Sequence, residues 1–256
     1  MNNLVFWEIK KMIKRPTIIL SLAFIIWFSF ITVTTFTIND SFSDVFYKSY
    51  GIMPIVGIFI YSYISGVYAI ENRNNMKGII CSTKIGANGT VRAKISATAI
   101  IIWLFMMGSF LGALSSAISV WGTSGFSLQV NELWYFGKTS YTLTVGQLIM
   151  ITIAGITMGS ILYSQVTNII ASSTKKSVLP FIVGGLFMGL PYILEIILIR
   201  TNMHKLLGVT PLWNVFWSNM VRYDISPIHS IGSIILFLVL LIISEKICKN
   251  RFIKEI

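Results

Sequence analysis

The fragment Gly137–Lys138–Thr139 has the residue types that end a phosphate-binding loop. Such a loop reads Gly-x-x-x-x-Gly-Lys-Ser/Thr, because its glycines let backbone amides wrap around the phosphates that its lysine reaches. Here Glu132 occupies the position of the first glycine, so the motif is incomplete. We therefore do not expect this chain to hydrolyse ATP by itself.

Other residue patterns that would indicate an enzyme are missing from the sequence. It contains no HExxH zinc helix, no GxSxG nucleophile elbow and no carboxylate dyad. His204 and His229 lack a nucleophile or an acid as partner, and Cys81 and Cys248 form no metal signature. We expect neither a catalytic site nor a metal or cofactor bound by this chain.

Glu195 is the one carboxylate inside an apolar segment and away from the predicted cytoplasmic ends. A charge is costly in hydrocarbon, which makes such a residue a functional candidate. It lies five residues before Arg200, about 7.5 Å along a helix. Pairing with Arg200, or reaching out to the membrane interface, is therefore the favoured interpretation.

The rest of the sequence is dominated by apolar residues that need a non-aqueous environment. Hydrophobic residues make up 55% of the 256 residues and charged residues only 11%, where soluble domains have roughly a quarter. Crossing about 30 Å of hydrocarbon takes roughly 20 helical residues, and unbroken Leu, Ile, Phe and Val runs favour helices over alternating barrel strands. Six such runs predict membrane-spanning helices at Thr17–Phe36, Gly51–Ile70, Ile95–Trp121, Val145–Ala171, Val178–Ile199 and Ile228–Ser244.

Lys and Arg are unevenly distributed between the two sets of predicted helix ends. Fifteen of the 20 lie at the ends shared with both termini, and five lie at the opposite ends. Cytoplasmic loops of membrane proteins carry the excess of Lys and Arg, so both termini are predicted to be cytoplasmic. The net charge of +11 then reflects topology and attraction to anionic lipid, and no nucleic-acid partner is expected.

Residues 1–16 are predicted to form an amphipathic helix in the membrane interface. At about 100° per residue, apolar side chains gather on one face and charged side chains on the other. The apolar set is Val5, Phe6, Ile9, Met12 and Ile13, and the charged set is Glu8, Lys11, Lys14 and Arg15. The alternative is a plain basic flank of the first span.

The connection at residues 200–227 is long and aromatic. Pro211 precedes Trp213, Phe216 and Trp217, whose spacing fits one face of a short helix. Two interpretations stay open: an interfacial aromatic belt, and a re-entrant hairpin that caps the outer end of a pathway.

Three predicted spans carry glycines four residues apart. The pairs are Gly108/Gly112, Gly155/Gly159 and Gly185/Gly189. Small residues let membrane helices approach each other closely. Packing within one subunit is the expected role of at least two of these pairs.

The connection at residues 71–94 is the longest basic one and is too apolar to be a plain linker. A short helix near Asn74–Ser82 would place Met76, Ile79 and Ile80 on one face. This arrangement resembles the coupling helix of ABC-2 type transporter permeases, which lies between the second and third spans. The matching residues are Glu71, Arg73, Met76, Lys77, Ile79, Ile80, Ser82, Thr83, Gly86, Arg92 and Lys94.

The resemblance also covers the amphipathic first helix, the six-span layout and the aromatic loop before the last span. Where that family often has a proline and a basic pair, this chain has Lys84–Ile85–Gly86–Ala87–Asn88, which leaves the end of the coupling helix open. The resemblance implies an all-α, type V exporter-like permease that forms a single domain, residues 1–256, in a bacterial plasma membrane. A second copy or a homologue would complete the dimer.

In that family a separate cytoplasmic ATPase, which holds ATP and Mg²⁺, docks on the coupling helix. The resemblance assigns this coupling role to Glu71, Arg73, Met76, Lys77, Ile79, Ile80, Thr83 and Gly86. The family mostly exports its substrates.

The apolar composition favours a small amphipathic or apolar peptide, such as a toxin or antimicrobial peptide, as the cargo. Soft apolar side chains adapt to varied peptides, and the weak candidates for the pathway are Phe59, Tyr63, Met106, Met150, Met158 and Glu195. Each of the apolar candidates is also a good packing residue. The alternative function is a non-transporting sensor or immunity protein that binds a cytoplasmic partner through residues 71–94. An ion-coupled carrier is poorly supported, because it needs more buried charge.

Overall fold

The computed structural model describes residues 2–13, 16–35, 41–69, 71, 74, 76–83, 85–137, 139–174, 176–198 and 217–254. Within those ranges the regular elements are helices, as predicted, and β pairing is limited to one isolated bridge between Gln129 and Thr144. The α-helices are α1 Asn2–Ile13, α2 Pro16–Thr35, α3 Ser41–Ile64, α4 Lys77–Ser82, α5 Gly86–Trp121, α6 Val145–Ser172, α7 Val178–Leu198, α8 Trp217–Arg222 and α9 Pro227–Lys254. Two 3₁₀ turns, Ser124–Ser127 and Val130–Glu132, lie between α5 and α6.

Among the described residues, five helices are long and apolar enough to cross a membrane. They are Pro16–Thr35, Phe42–Ile64, Gly86–Trp121, Val145–Ser172 and Val178–Leu198. The predicted sixth segment, Ile228–Ser244, lies inside α9. Helices α6 and α7 begin at the predicted residues, Val145 and Val178. The start of α6 is fixed by a capping box between Thr144 and Gln147, which satisfies backbone donors of the first turn.

Helix α3 begins ten residues earlier than predicted, at Ser41. The residues between the predicted spans Thr17–Phe36 and Gly51–Ile70 are therefore helical from Ser41 onward. Asp44 is fully buried and pairs with Lys48 one turn later at 3.0 Å, and the Lys48 Nζ also donates to the Thr32 carbonyl at 3.0 Å. Because the two charges compensate each other within the helix, this polar stretch can be helical and buried.

Helix α5 is the centre of the bundle. Its 36 residues extend about 54 Å, which exceeds the hydrocarbon thickness, and it packs against α1, α2, α3, α6 and α9. Gly108 and Gly112 bring it close to α2, since a Cβ at Gly112 would lie 2.6 Å from the Ile26 carbonyl oxygen. This glycine pair packs within the subunit, as expected. A Cβ at Gly185 or Gly189 would meet nothing within 4 Å, so this pair makes no close helix contact among the described residues.

Helices α2 and α7 lie on the outside of the bundle. Their most apolar windows are only 22% and 17% buried, against 67% for α5. The outward side chains are large and apolar and include Leu20, Phe24, Trp27, Leu186 and Ile196. Surfaces of this kind are typical of helices that contact lipid.

The first and last helices pack on the same end of α5. We call this end, residues 86–94 of α5 with the segments that contact them, the basal end. Glu8 of α1 pairs there with Lys94, and Phe252 of α9 joins an apolar cluster with Val91. Both terminal helices are therefore anchored at one end of the bundle.

Candidate functional site

Helix α4 is a short helix between two long ones. It covers Lys77–Ser82, so it begins three residues later than predicted, and in its first turn the Ile80 N–H donates to the Met76 carbonyl at 3.0 Å. Thr83 then adopts an extended backbone and ends the helix. The short helix that the sequence predicts is therefore present between α3 and α5.

A tight turn joins α4 to α5. The Thr83 hydroxyl donates to the Ile80 carbonyl at 2.7 Å and accepts the Gly86 N–H at 3.2 Å. Gly86 has a φ of +63°, a left-handed conformation that strains any residue with a Cβ. Thr83 and Gly86 therefore set the angle between the two helices.

Three apolar side chains on this connection face away from the rest of the protein. Met76, Ile79 and Ile85 are 38%, 65% and 56% exposed, and we call them the docking surface. Ile80 belongs to the predicted face but turns inward and packs partly against the cluster that contains Tyr68. Exposed apolar side chains that lie close together in the sequence occur on surfaces that contact another protein or a membrane.

Lys94 is a buried cation with three acceptors. Its Nζ lies 3.2 Å from Glu8 Oε2, 2.9 Å from Glu71 Oε1 and 3.0 Å from the Val67 carbonyl oxygen. The Tyr68 ring centroid is 5.0 Å from the same nitrogen, close enough for a cation–π contact. We call Glu8, Glu71 and Lys94 the Lys94 ion cluster. One side chain thus ties α1 and the segment between α3 and α4 to α5.

Glu71 connects this cluster to α4. Its carboxylate pairs with Lys94, while its backbone carbonyl accepts the Met76 N–H at 3.0 Å. The side chain is only 13% exposed, so it is not part of the docking surface. Arg73 and the side chain of Lys77 lie outside the described residues.

The charges around Glu8 explain why this carboxylate can be buried. Glu8 also pairs with Lys11 at 2.8 Å, and the Lys11 side chain is largely exposed. Burial by itself raises the pKa of Glu8, but Lys94 and Lys11 outweigh the burial and hold the pKa below the ordinary value of 4.5. Glu8 is therefore ionised at neutral pH and holds α1 against α5.

Sequence reasoning missed the partner of Lys94. Periodicity predicts Glu8 on the polar face of α1, yet it is buried, and Phe6 and Trp7 are the most exposed large apolar side chains of that helix. The Lys94–Glu8 contact joins residues 86 positions apart, so no local pattern indicates it. The one signal was a single acidic residue in a basic helix together with a lysine at the start of a predicted span.

A second ion group lies on the surface of the basal end. Glu245 of α9 is 3.1 Å from Arg92 and 2.5 Å from Lys249. The hydrogen bond from Lys249 outweighs partial burial and, with Arg92, lowers the pKa of Glu245. Arg92 and Glu245 are 56% and 35% exposed, and exposed ion pairs contribute little to stability. This group therefore differs in kind from the Lys94 ion cluster.

The predicted pathway residues are dispersed over the bundle. Tyr63 of α3 makes a 2.6 Å hydrogen bond to α2, and Met106 of α5 is fully buried against α6. Met150 is 66% exposed on the surface of α6. Phe59 and Met158 are half-buried. A lining role for these side chains stays a prediction.

A small cavity lies beside α8. Its volume of about 10 Å³ suits one water molecule. It is lined by Phe46, Ser49, Met53, Phe110, Thr152, Ile156 and Ser218. The predicted pathway residues are not among these side chains, and the cavity is far too small for a peptide.

Glu195 belongs to a polar group that includes the end of α8. Arg222 Nη1 lies 3.5 Å from its Oε1, and the Tyr223 hydroxyl donates to the same oxygen. Arg222 also donates to the Tyr135 hydroxyl at 2.8 Å. The partner expected from the sequence, Arg200, lies outside the described residues. Pro211, Trp213 and Phe216 of the aromatic segment lie there as well.

No family model matches the chain, and neither a curated protein nor a solved structure matches it. The described residues contain no group of three or more His, Cys, Asp or Glu side chains that could hold a metal ion. The geometry offers an exposed apolar surface on a short helix, fixed to the bundle next to a buried ion cluster.

Proposed function

We propose that the chain is the permease subunit of an ATP-driven exporter of the ABC-2 type in a bacterial plasma membrane. In this proposal six helices cross the bilayer: the five apolar helices named above and residues 228–244 of α9. Both termini are cytoplasmic, because the basal end would carry the excess of Lys and Arg. The anchoring of α1 and α9 at one end of α5 supports this topology.

The observation that carries the proposal is the docking surface. Ile79 and Ile85 are more than half exposed on a connection that, in this topology, lies on the cytoplasmic side between two spans. Apolar side chains held in water on a short helix are explained by a protein that covers them. The partner would be a separate ATPase subunit, which holds ATP and Mg²⁺, while this chain binds neither.

The turn after α4 supports a coupling role for the connection. Only residues 83–85 separate α4 from α5, and the contact between Thr83 and Gly86 holds them at a fixed angle. Displacement of α4 by the ATPase would therefore reach α5, on which α1, α2, α3, α6 and α9 pack. Coupling of this kind travels through packed, rigid elements.

The cargo is proposed to be a small amphipathic or apolar peptide that enters from the inner leaflet. The outward surfaces of α2 and α7 are apolar, and α1 presents Phe6 and Trp7 where the membrane interface would lie. The cavity beside α8 holds one water at most. In this proposal the peptide moves along the outside of the bundle, on a route that a second copy or a homologue would enclose.

Co-purification with the ATPase encoded beside this gene tests the docking surface. Met76→Asp and Ile79→Asp each place a charge on the docking surface and leave the packing of the protein interior unchanged. Burying that charge against the ATPase would be unfavourable, so both variants should abolish co-purification. Ile80 is a poor choice for this test, because it packs inside the protein. Leu128→Asp is the matched control, since Leu128 is 42% exposed on the connection between α5 and α6.

Wild-type levels of bound ATPase in Met76→Asp and Ile79→Asp would remove the docking assignment. Loss of binding in Leu128→Asp as well would show that the effect is not specific to the docking surface. A partner that binds wild-type protein but never couples ATP hydrolysis to transport would favour the sensor or immunity function instead.

Peptide-stimulated ATPase activity tests the cargo. The permease and the ATPase are reconstituted in liposomes, and a synthetic amphipathic Leu/Lys helical peptide is added. We expect the peptide to stimulate ATP hydrolysis, because the proposed route is apolar and open to the inner leaflet. Stimulation by a hydrophilic saccharide and not by the peptide would contradict the proposed cargo.

A further inference from the structure

We propose that Lys94 is a positioning residue that fixes both α4 and α1 to the central helix α5, so that displacement of α4 moves the spans and the interfacial helix together. This inference rests on the proposed function, because it gives the route by which an ATPase on the docking surface acts on the membrane helices. It is carried by one buried ammonium group held between carboxylates from two separate segments.

The cluster resists separation because it is shielded from water. The side chain of Lys94 is 1% exposed, that of Glu8 5% and that of Glu71 13%. Opposite charges interact more strongly at low dielectric, and pulling them apart would leave a buried charge uncompensated. The segments that carry these three residues therefore move as one unit as long as the cluster is intact.

Helix α4 is attached to α5 at two points. At its C-terminal end, Thr83 accepts the N–H of Gly86, and at its other end Glu71 holds the Met76 N–H and pairs with Lys94. Lys94 follows Gly86 by eight residues, or about 12 Å along the helix. Two attachments this far apart transmit both a rotation and a shift of α4 to α5. The turn at Gly86 alone would not transmit the rotation.

Glu8 extends the same connection to α1. It pairs with Lys94, while Phe6 and Trp7 of that helix face outward. In the proposed topology those aromatic side chains lie in the inner leaflet interface. Movement of Lys94 therefore shifts a helix that contacts the leaflet from which the cargo enters.

The ion pair between Arg92 and Glu245 provides an internal comparison. This pair also lies at the basal end, and Arg92 is on α5 only two residues before Lys94. Arg92 and Glu245 are, however, 56% and 35% exposed. Water screens such a pair, so its loss should change little. Glu245→Gln therefore removes a neighbouring carboxylate without touching the attachment of α4.

The experiment compares Glu71→Gln, Lys94→Met and Glu245→Gln in the complete permease–ATPase complex in liposomes. Three quantities are measured: the amount of ATPase bound, the basal ATPase rate, and the stimulation of that rate by the Leu/Lys helical peptide. We expect the Glu71→Gln and Lys94→Met permeases to bind the ATPase normally. The stimulation of their ATPase rate by the peptide should be at least about fivefold weaker than in wild type, which is the lower end of the usual range of allosteric coupling. Glu245→Gln should behave as wild type in all three.

Normal stimulation in Glu71→Gln with normal ATPase binding would overturn the role of Lys94 and leave the proposed function intact. Loss of ATPase binding by a monodisperse Glu71→Gln permease would also overturn it, because the cluster would then act in docking and not in coupling. Glu71→Gln keeps the size of the side chain and removes only its charge, so it decides the matter if Lys94→Met misfolds. Absence of ATPase binding by the wild-type permease would instead refute the proposed function itself.

Discussion

The Tyr192 hydroxyl on α7 donates a hydrogen bond to the backbone carbonyl of Tyr50 on α3. That carbonyl lies four residues before Pro54, which has no N–H and cannot supply the usual helical donor. The two tyrosine rings also stack, with centroids 4.4 Å apart. The break that Pro54 makes in α3 is thus repaired from the neighbouring helix, and α7 is fixed to the bundle at that point.

Replacing Tyr192 with phenylalanine tests this contact. Tyr192→Phe keeps the ring stacking but removes the donor to the Tyr50 carbonyl, so the free energy of unfolding should fall by about 0.5–1.5 kcal/mol. Thermal unfolding in detergent measures the change. Tyr47→Phe is the control, because the Tyr47 side chain is 43% exposed. An equal loss of stability in both variants would show that the Tyr192 hydroxyl has no special role.

Glycine substitutions test the packing of α5 against α2. A Cβ at Gly112 would lie 2.6 Å from the Ile26 carbonyl oxygen, whereas a Cβ at Gly189 would meet nothing within 4 Å. Gly112→Ala should therefore destabilise the protein by about 1–3 kcal/mol, while Gly189→Ala should be neutral or stabilise by up to about 1 kcal/mol through helix propensity. Chemical or thermal unfolding of both variants in detergent decides between these outcomes. Equal stabilities would mean that α2 and α5 are not in close contact at Gly112.

Cysteine labelling tests the orientation in the membrane. Ser124 lies between α5 and α6 and Asn74 precedes α4, and both are exposed. In a background without Cys81 and Cys248, Ser124→Cys should react with an impermeant maleimide on intact cells, and Asn74→Cys only after lysis. Ser218 is buried, so a cysteine there would give a misleading negative result. The reverse labelling pattern would invert the proposed topology.

Stability should fall at acid pH through Glu8. The pKa of Glu8 is lower in the folded protein than in the unfolded chain. The stability that Glu8 contributes is therefore fully present at pH values above its pKa in the unfolded chain, and it is lost as the pH falls through its pKa in the folded protein. Between roughly pH 6 and pH 3 the melting temperature of wild type should therefore fall more than that of Glu8→Gln, which has no carboxyl to protonate. At neutral pH the variant should be the less stable protein. Parallel pH profiles would show that Glu8 does not stabilise the fold.

The fold was predictable where the signal is local. The starts of α6 and α7 at Val145 and Val178 follow from where apolar runs begin. The start of α3 could not be predicted from the start of an apolar run, because charged residues such as Asp44 and Lys48 are typical of a loop. Their pairing inside the helix is known only from the structure. Hydropathy reports the average surroundings of a segment and not the partner of an individual charge.

The candidate site also combines features that the local sequence predicts with features that only tertiary packing determines. Its short helix and the exposure of Met76 and Ile79 follow from apolar spacing in a basic segment. The inward turn of Ile80 depends on a cluster that includes residues of α6 and α9, which lie far away in the sequence. The pairing of Glu8 with Lys94 is likewise set by tertiary packing.

The Lys94 ion cluster also imposes an order on biogenesis. In the proposed topology, Glu8 leaves the ribosome 86 residues before Lys94, so α1 precedes its partner while α2 and α3 are inserted. Lys94 in turn emerges with both of its carboxylates already made, and its charge is compensated only when α1 and the segment before α4 are in place. All three members of the cluster precede α6 in the chain, so the cluster can form before the last described helix, α9, is synthesised.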